Sequence, residues 1–155
     1  MNNQDEKIIE YQAKRLREII DVIVSCCNDS RTYTKKRFEI PYAEIKCLLL
    51  FKGERYLTVK HLSEKMEVAK SRITKIIKGL MAKGLVEKIE DPKDNRVKLL
   101  SLTPKGKKKI EEIEQFRLDI HKKLIEHIKP QERSNLFDYL NKLIESMEVV
   151  KNTFK

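Results

Sequence analysis

The chain has 155 residues, 40% hydrophobic and 37% charged, with 34 Lys+Arg against 24 Asp+Glu for a formal charge of +10. That length suits one domain or two small packed ones, and four Gly and four Pro leave little room for long linkers or low-complexity tails. No stretch approaches a membrane-spanning apolar run, the opening MNNQDEK lacks the basic and apolar regions of a secretory leader, and three cysteines make no disulfide framework, so a cytoplasmic protein with no membrane partner is expected.

Residues 5–28 read as a helix: Ile9, Leu16, Ile20 and Ile23 recur at helical spacing, with Ile8, Ile19 and Val24 widening the stripe. Asn28-Asp29-Ser30 is a turn cluster, and residues 31–37, which hold four basic residues and no acid, read as a connection. Ile40-Pro41 opens a second helix with Pro in its first turn. Ile45, Leu48, Leu49 and Phe51 give that helix an apolar face, and Gly53 stops it.

Thr58 is a good N-cap for a third helix, with Leu62 spaced to staple back onto Leu57 and Val59, Leu62 and Met66 as its stripe. A fourth helix is expected from about Lys70 to Lys83. It carries Ile73, Ile76, Ile77 and Leu80 on one side, and Gly84 stands as its stop. The other side holds Lys70, Ser71, Thr74, Lys75 and Lys78, a polar, basic face suited to a DNA groove. Two short alternating runs follow, 85–89 and 97–102, around the turn-rich tip Asp91-Pro92-Lys93-Asp94-Asn95-Arg96. Thr103-Pro104 supplies an N-cap and a first-position Pro for a long helix ending near Lys129. Pro130 breaks it, and a last helix places Leu136, Leu140, Leu143, Met147 and Val150 in register.

Helix, tight turn, helix, hairpin, helix is the order of a winged helix-turn-helix, which lays one helix in a DNA groove with a hairpin beside it. Charge agrees: Thr58 to Lys109 holds 15 Lys+Arg against 6 Asp+Glu, and the rest of the chain holds 19 against 18. The positive field is confined to one module, where phosphates must be neutralised. The expected fold is mainly α with a small β-hairpin wing. Residues 1–37 form an N-terminal dimerisation helix and connection, 38–109 the winged lobe, and 110–155 C-terminal dimerisation helices. The end segments carry more apolar surface than they can cover alone, and a second copy of the chain is the simplest cover.

The run ITKIIKGLMAKGLVEKIEDPKDNRVKLLSLTPKGK resembles the MarR family of transcriptional regulators, and the likeness covers most of the chain. It is carried by the fourth helix, the Lys83-Gly84-Leu85-Val86 junction, Asp94-x-Arg96 at the wing tip and Leu102-Thr103-x-x-Gly106. The resemblance implies an obligate dimer on a pseudo-palindromic double-stranded operator. It also implies that Arg96 enters the minor groove, oriented by Asp94. A guanidinium suits a narrow, strongly negative groove, and a nearby carboxylate can hold it. Ser71, Arg72 and Thr74 are the candidates for base edges, and Lys70, Lys75 and Lys78 for phosphates, with Lys93, Asn95 and Lys98 as further backbone contacts. The expected protein is a repressor released by a small-molecule effector that favours a dimer with mismatched helix spacing.

Three positions depart from the family pattern. Glu67 stands where the tight turn often has Gly, and Ala69 stands where a Ser or Thr often caps the recognition helix, a loss of about 1 kcal/mol. Gly79 lies inside that helix at a cost of about 1 kcal/mol relative to Ala.

Cys26 and Cys27 could sense oxidants or a soft metal on the same fold, whereas Cys47, among Ile45, Leu48 and Leu49, reads as buried packing. His61, His121 and His127 assemble no metal site. Tyr11, Tyr33, Phe38, Tyr42, Phe116 and Tyr139 could line an effector pocket, though each is more often core or interface. A winged module used on protein rather than DNA is the remaining binding alternative. No nucleophile–base pair, paired carboxylates or phosphate-cradling loop is present, so neither an enzyme nor a cofactor is expected.

Overall fold

The structure, a computed structural model, describes residues 3–90 and 98–154. Its elements run α1 (Asn3–Phe38), α2 (Tyr42–Leu49), β1 (Leu57–Thr58), α3 (Val59–Met66), α4 (Lys70–Ala82), β2 (Val86–Glu90), β3 (Lys98–Leu102), α5 (Pro104–Glu126) and α6 (Pro130–Thr153). The chain divides into two compact units, Met1–Ile113 and Glu114–Lys155.

The first unit holds the core. Ile45, Leu48 and Phe51 come from α2 and its exit, Leu62 and Met66 from α3, and Ile73, Ile76, Ile77 and Leu80 from α4. Leu57, Val86 and Leu100 join them from the sheet, Leu85 from the turn before β2, and Ile110 and Ile113 from α5. α2, α3 and α4 each turn one apolar stripe inward, as their periodicity predicts. Leu57 and Leu62, the predicted staple, are both buried, and Thr58 caps α3 by accepting the His61 N–H at 3.1 Å.

The sheet has the antiparallel order β1-β3-β2. β2 and β3 form the wing hairpin, pairing from Val86↔Leu102 to Glu90↔Lys98. The third strand was not legible: β1 is only Leu57–Thr58, too short for an alternating pattern, and it is held by pairing with Leu100 and Leu99.

The largest difference from expectation is α1, which continues through Asn28-Asp29-Ser30 and the supposed connection at 31–37. The polar side chains there bond within the helix instead of ending it. Thr32 Oγ1 donates to the Asn28 carbonyl at 3.2 Å, Thr34 Oγ1 to the Ser30 carbonyl at 2.9 Å, and Arg31 to Asn28 Oδ1 at 3.2 Å. Thr34 is buried and Phe38 packs on the core, so tertiary contact carries the extra turns. Lys35, Lys36 and Arg37 occupy the last turn, where cations suit the helix dipole. Glu39, left-handed at φ 53°, ends the helix.

The second unit is helical. α5 ends at Glu126, a few residues earlier than expected, and Arg133 Nε donates to the Ile128 carbonyl at 3.0 Å between the helices. α6 begins at Pro130, as predicted, and buries none of its residues.

Candidate nucleic-acid interface

α4, the expected recognition helix, is two-faced. Ile73, Ile76, Ile77 and Leu80 are buried, while Lys70, Ser71, Arg72, Thr74, Lys75 and Lys78 are all exposed. Among the described residues, none of the four cations in that set makes an ion pair, so their charge remains available for phosphates. Thr74 Oγ1 donates to the Lys70 carbonyl at 2.9 Å. Its proton is therefore used, and it is left to accept from a base amino group or to pack its methyl on thymine.

The start of α4 is built without a side-chain cap. Ala69 is extended (φ −60°, ψ 146°), and only its carbonyl serves, accepting from Arg72 N at 3.0 Å and Ile73 N at 3.2 Å. The turn before it is locked by Ser63, whose Oγ donates to the Val68 carbonyl at 2.8 Å and whose own carbonyl accepts Val68 N at 3.2 Å. Glu67 takes the left-handed position usually given to glycine (φ 54°, ψ 43°).

The end of α4 is a full glycine stop. Gly84 sits at φ 67°, Leu85 N donates to the Leu80 carbonyl at 3.0 Å, and Gly84 N to the Met81 carbonyl at 2.9 Å. The start of α5 closes over it. Thr103 Oγ1 donates to the Gly84 carbonyl at 2.7 Å, and Lys105 Nζ to the Lys83 carbonyl at 2.8 Å. The same Thr103 Oγ1 accepts Gly106 N at 2.9 Å and so caps α5, as Thr103-Pro104 predicted. Wing, recognition helix and α5 thus meet at one junction.

Of the wing candidates, Lys93, Asp94, Asn95 and Arg96 lie outside the described residues, and Lys98 is placed by its backbone alone at the start of β3.

The remaining chemistry-bearing residues are scattered. Cys47 is buried, and burial, with the Glu44 carboxylate adding, pushes its thiol up from 9.0 to about 12. Cys26 and Cys27 are exposed on α1. His121 and His127 each direct Nδ1 to the carbonyl four residues back, at 2.6 and 2.7 Å. Among the described residues, no three His, Cys, Asp or Glu side chains gather where a metal could sit. Of the aromatics named for a pocket, Tyr11, Tyr33, Tyr42 and Tyr139 are exposed, Phe38 lies under Lys109, and Arg31 covers the Tyr42 ring.

Sequence reasoning missed Glu44 of α2, which reaches α4 from below. Its Oε2 is 2.8 Å from Lys83 Nζ, and the carboxylate lies over Gly79. Gly79 itself was the signal: a glycine tolerated inside a helix points to a close neighbour.

Residues 40–96 match the MarR family model. Over 139 residues the chain is 24% identical to the uncharacterized HTH-type transcriptional regulator YdgJ of Bacillus subtilis, spanning 90% of this chain and 79% of that protein. The fold of a MarR family protein from Bacillus stearothermophilus superposes with a TM-score of 0.78 at 24% identity, covering 90% of this chain and 97% of the other. That of Streptococcus pneumoniae FabT in complex with DNA gives 0.73 at 20% identity, covering 87% and 99%.

Proposed function

We propose that this chain, which belongs to the MarR family of winged helix-turn-helix transcriptional regulators, binds a pseudo-palindromic DNA operator as a homodimer and represses until a small-molecule effector releases it. Members of that family are regulators and not enzymes. The observation that carries the reading is α4: one face buried, the other an exposed run of Lys70, Ser71, Arg72, Thr74, Lys75 and Lys78 whose cations lack partners among the described residues. A helix so divided can press its polar side into a major groove without exposing its core. Arg96, with Asp94 to orient it, is assigned to the adjacent minor groove, and Lys93, Asn95 and Lys98 to the backbone.

The dimer rests on uncovered apolar surface. Phe137, Leu140, Ile144, Met147 and Val150 of α6 are exposed, as are Ile8, Ile9, Leu16, Ile19 and Ile23 of α1. Surface of that kind marks an interface. A two-fold dimer sets its recognition helices roughly 34 Å apart, one turn of B-DNA. The effector acts through its differential affinity for two dimer conformations.

Selection from a random-sequence duplex pool, with sedimentation of the free protein, tests this reading. Enrichment of an inverted repeat with half-sites one turn apart, by a protein that sediments as a dimer, is the expected result. A monomer, or no enrichment, would contradict it.

A further inference from the structure

The junction of α2 with the recognition helix is built at a cost to stability. Gly79 sits inside α4, where it is intrinsically less favourable than Ala. A Cβ there would overlap Glu44 Oε1 and lie 2.9 Å from Cδ, so the carboxylate occupies the notch that glycine leaves. Glu44 is nearly buried, its side chain 12% exposed, and its Oε2 is shut off from solvent. That oxygen faces Lys83 Nζ at 2.8 Å, an ion pair out of hydrogen-bond alignment, and Lys83 also reaches back to the Gly79 carbonyl at 3.4 Å. Desolvating such a pair offsets much of its attraction, so it is weak evidence for stability, and its best-attested use is to fix register. α4 needs register. Its N-terminus has no side-chain cap, and its four cations, which make no ion pair among the described residues, spread over its exposed side.

We propose that Glu44 is a positioning residue for DNA reading. Seated in the Gly79 notch and held by Lys83, its carboxylate fixes the rotation and axial position of α4 on α2. It thereby places Ser71, Arg72 and Thr74 at base edges about 10 Å along the helix. Base contacts, which carry the sequence information, depend on this placement, whereas phosphate contacts carry none. The inference rests on the DNA-binding reading above.

The test compares the full-length protein with Glu44→Gln, Lys83→Met and Gly79→Ala. Each is titrated by anisotropy on the duplex enriched from a random pool and on its scrambled control across salt concentrations, and thermal unfolding is recorded alongside. Glu44→Gln keeps the size of the side chain and removes its charge. Gly79→Ala keeps both charges and fills the notch, and Lys83→Met covers the case in which one of these fails to fold. The expected result is an approximately tenfold fall in preference for the enriched duplex in the folded variants, with scrambled-duplex affinity and salt slope unchanged. Loss of thermal stability with the preference intact would show a merely structural pair and overturn the proposal. A salt slope lowered by one in Lys83→Met would overturn it too, making Lys83 a phosphate contact. If the wild-type protein enriches no sequence, the DNA reading fails and this inference fails with it. If the wild type discriminates and the variants discriminate equally, only the role of Glu44 is refuted.

Discussion

Gly106 packs its Cα directly against the carbonyl of Leu85: a Cβ there would overlap the oxygen and lie 2.9 Å from its carbon. The neighbour is backbone at the foot of the wing, and it also accepts Thr103 N at 3.2 Å. It has no rotamer into which to retreat. Gly106→Ala is expected to destabilise the protein by about 1–3 kcal/mol, the range for overpacking a tight contact. Urea unfolding measures this, and a change within about 0.5 kcal/mol, as for an ordinary surface site, would show that the junction yields.

Glu67 is held left-handed at φ 54° between α3 and α4. A non-glycine residue pays about 1–2 kcal/mol there, and glycine returns part of the gain as unfolded-chain entropy. Glu67→Gly is therefore expected to stabilise by about 0.5–1 kcal/mol. A lowered midpoint in thermal or urea unfolding would mean that the glutamate side chain makes up for the strain.

Cys47 gives the fold an alkaline sensitivity. Its folded-state pKa of about 12 lies above the ordinary 9.0, so between those values the unfolded chain loses a proton that the native state keeps. Stability is thus fully present below pH 9 and falls as pH rises toward 12, by at most about 1.4 kcal/mol per pH unit. Cys47→Ala should flatten that slope in urea titrations above pH 9. Equal slopes in wild type and variant would contradict the assignment.

Much of this was legible before the structure. The two-faced α4, the Thr58 and Thr103 caps and the Gly84 stop are local signals, each written within one or two turns of chain. The length of α1 was not legible. Asn28, Asp29 and Ser30 favour a turn by propensity, and only the burial of Thr34 and Phe38 against distant elements overrides it. β1 was hidden because two residues carry no period, and the Glu44–Gly79 contact because it joins positions far apart in sequence. The wing tip, which the family resemblance assigns to the minor groove, lies outside the described residues and stands as a proposal.

Substitutions on the reading face separate phosphate from base contacts. Lys75→Ala should weaken binding alike on all sequences and lower the salt slope by about one. Arg72→Ala should instead relax discrimination at one base position, by about 1–3 kcal/mol. Arg96→Ala should cost most at A·T-rich flanks of the half-sites. Binding titrations on matched and mismatched duplexes distinguish these outcomes, and an unchanged salt slope for Lys75→Ala would remove it from the phosphate contacts.

Reading of DNA sequence through the exposed face of α4 is the core of the proposed function. Anisotropy of the wild-type protein on its enriched duplex and on a scrambled one, across a salt series, tests it most directly. Binding to the enriched duplex at least ~1,000-fold tighter than to the scrambled one, and falling steeply with salt, is the predicted result. Equal affinity for both duplexes, or no binding at low salt, would contradict it.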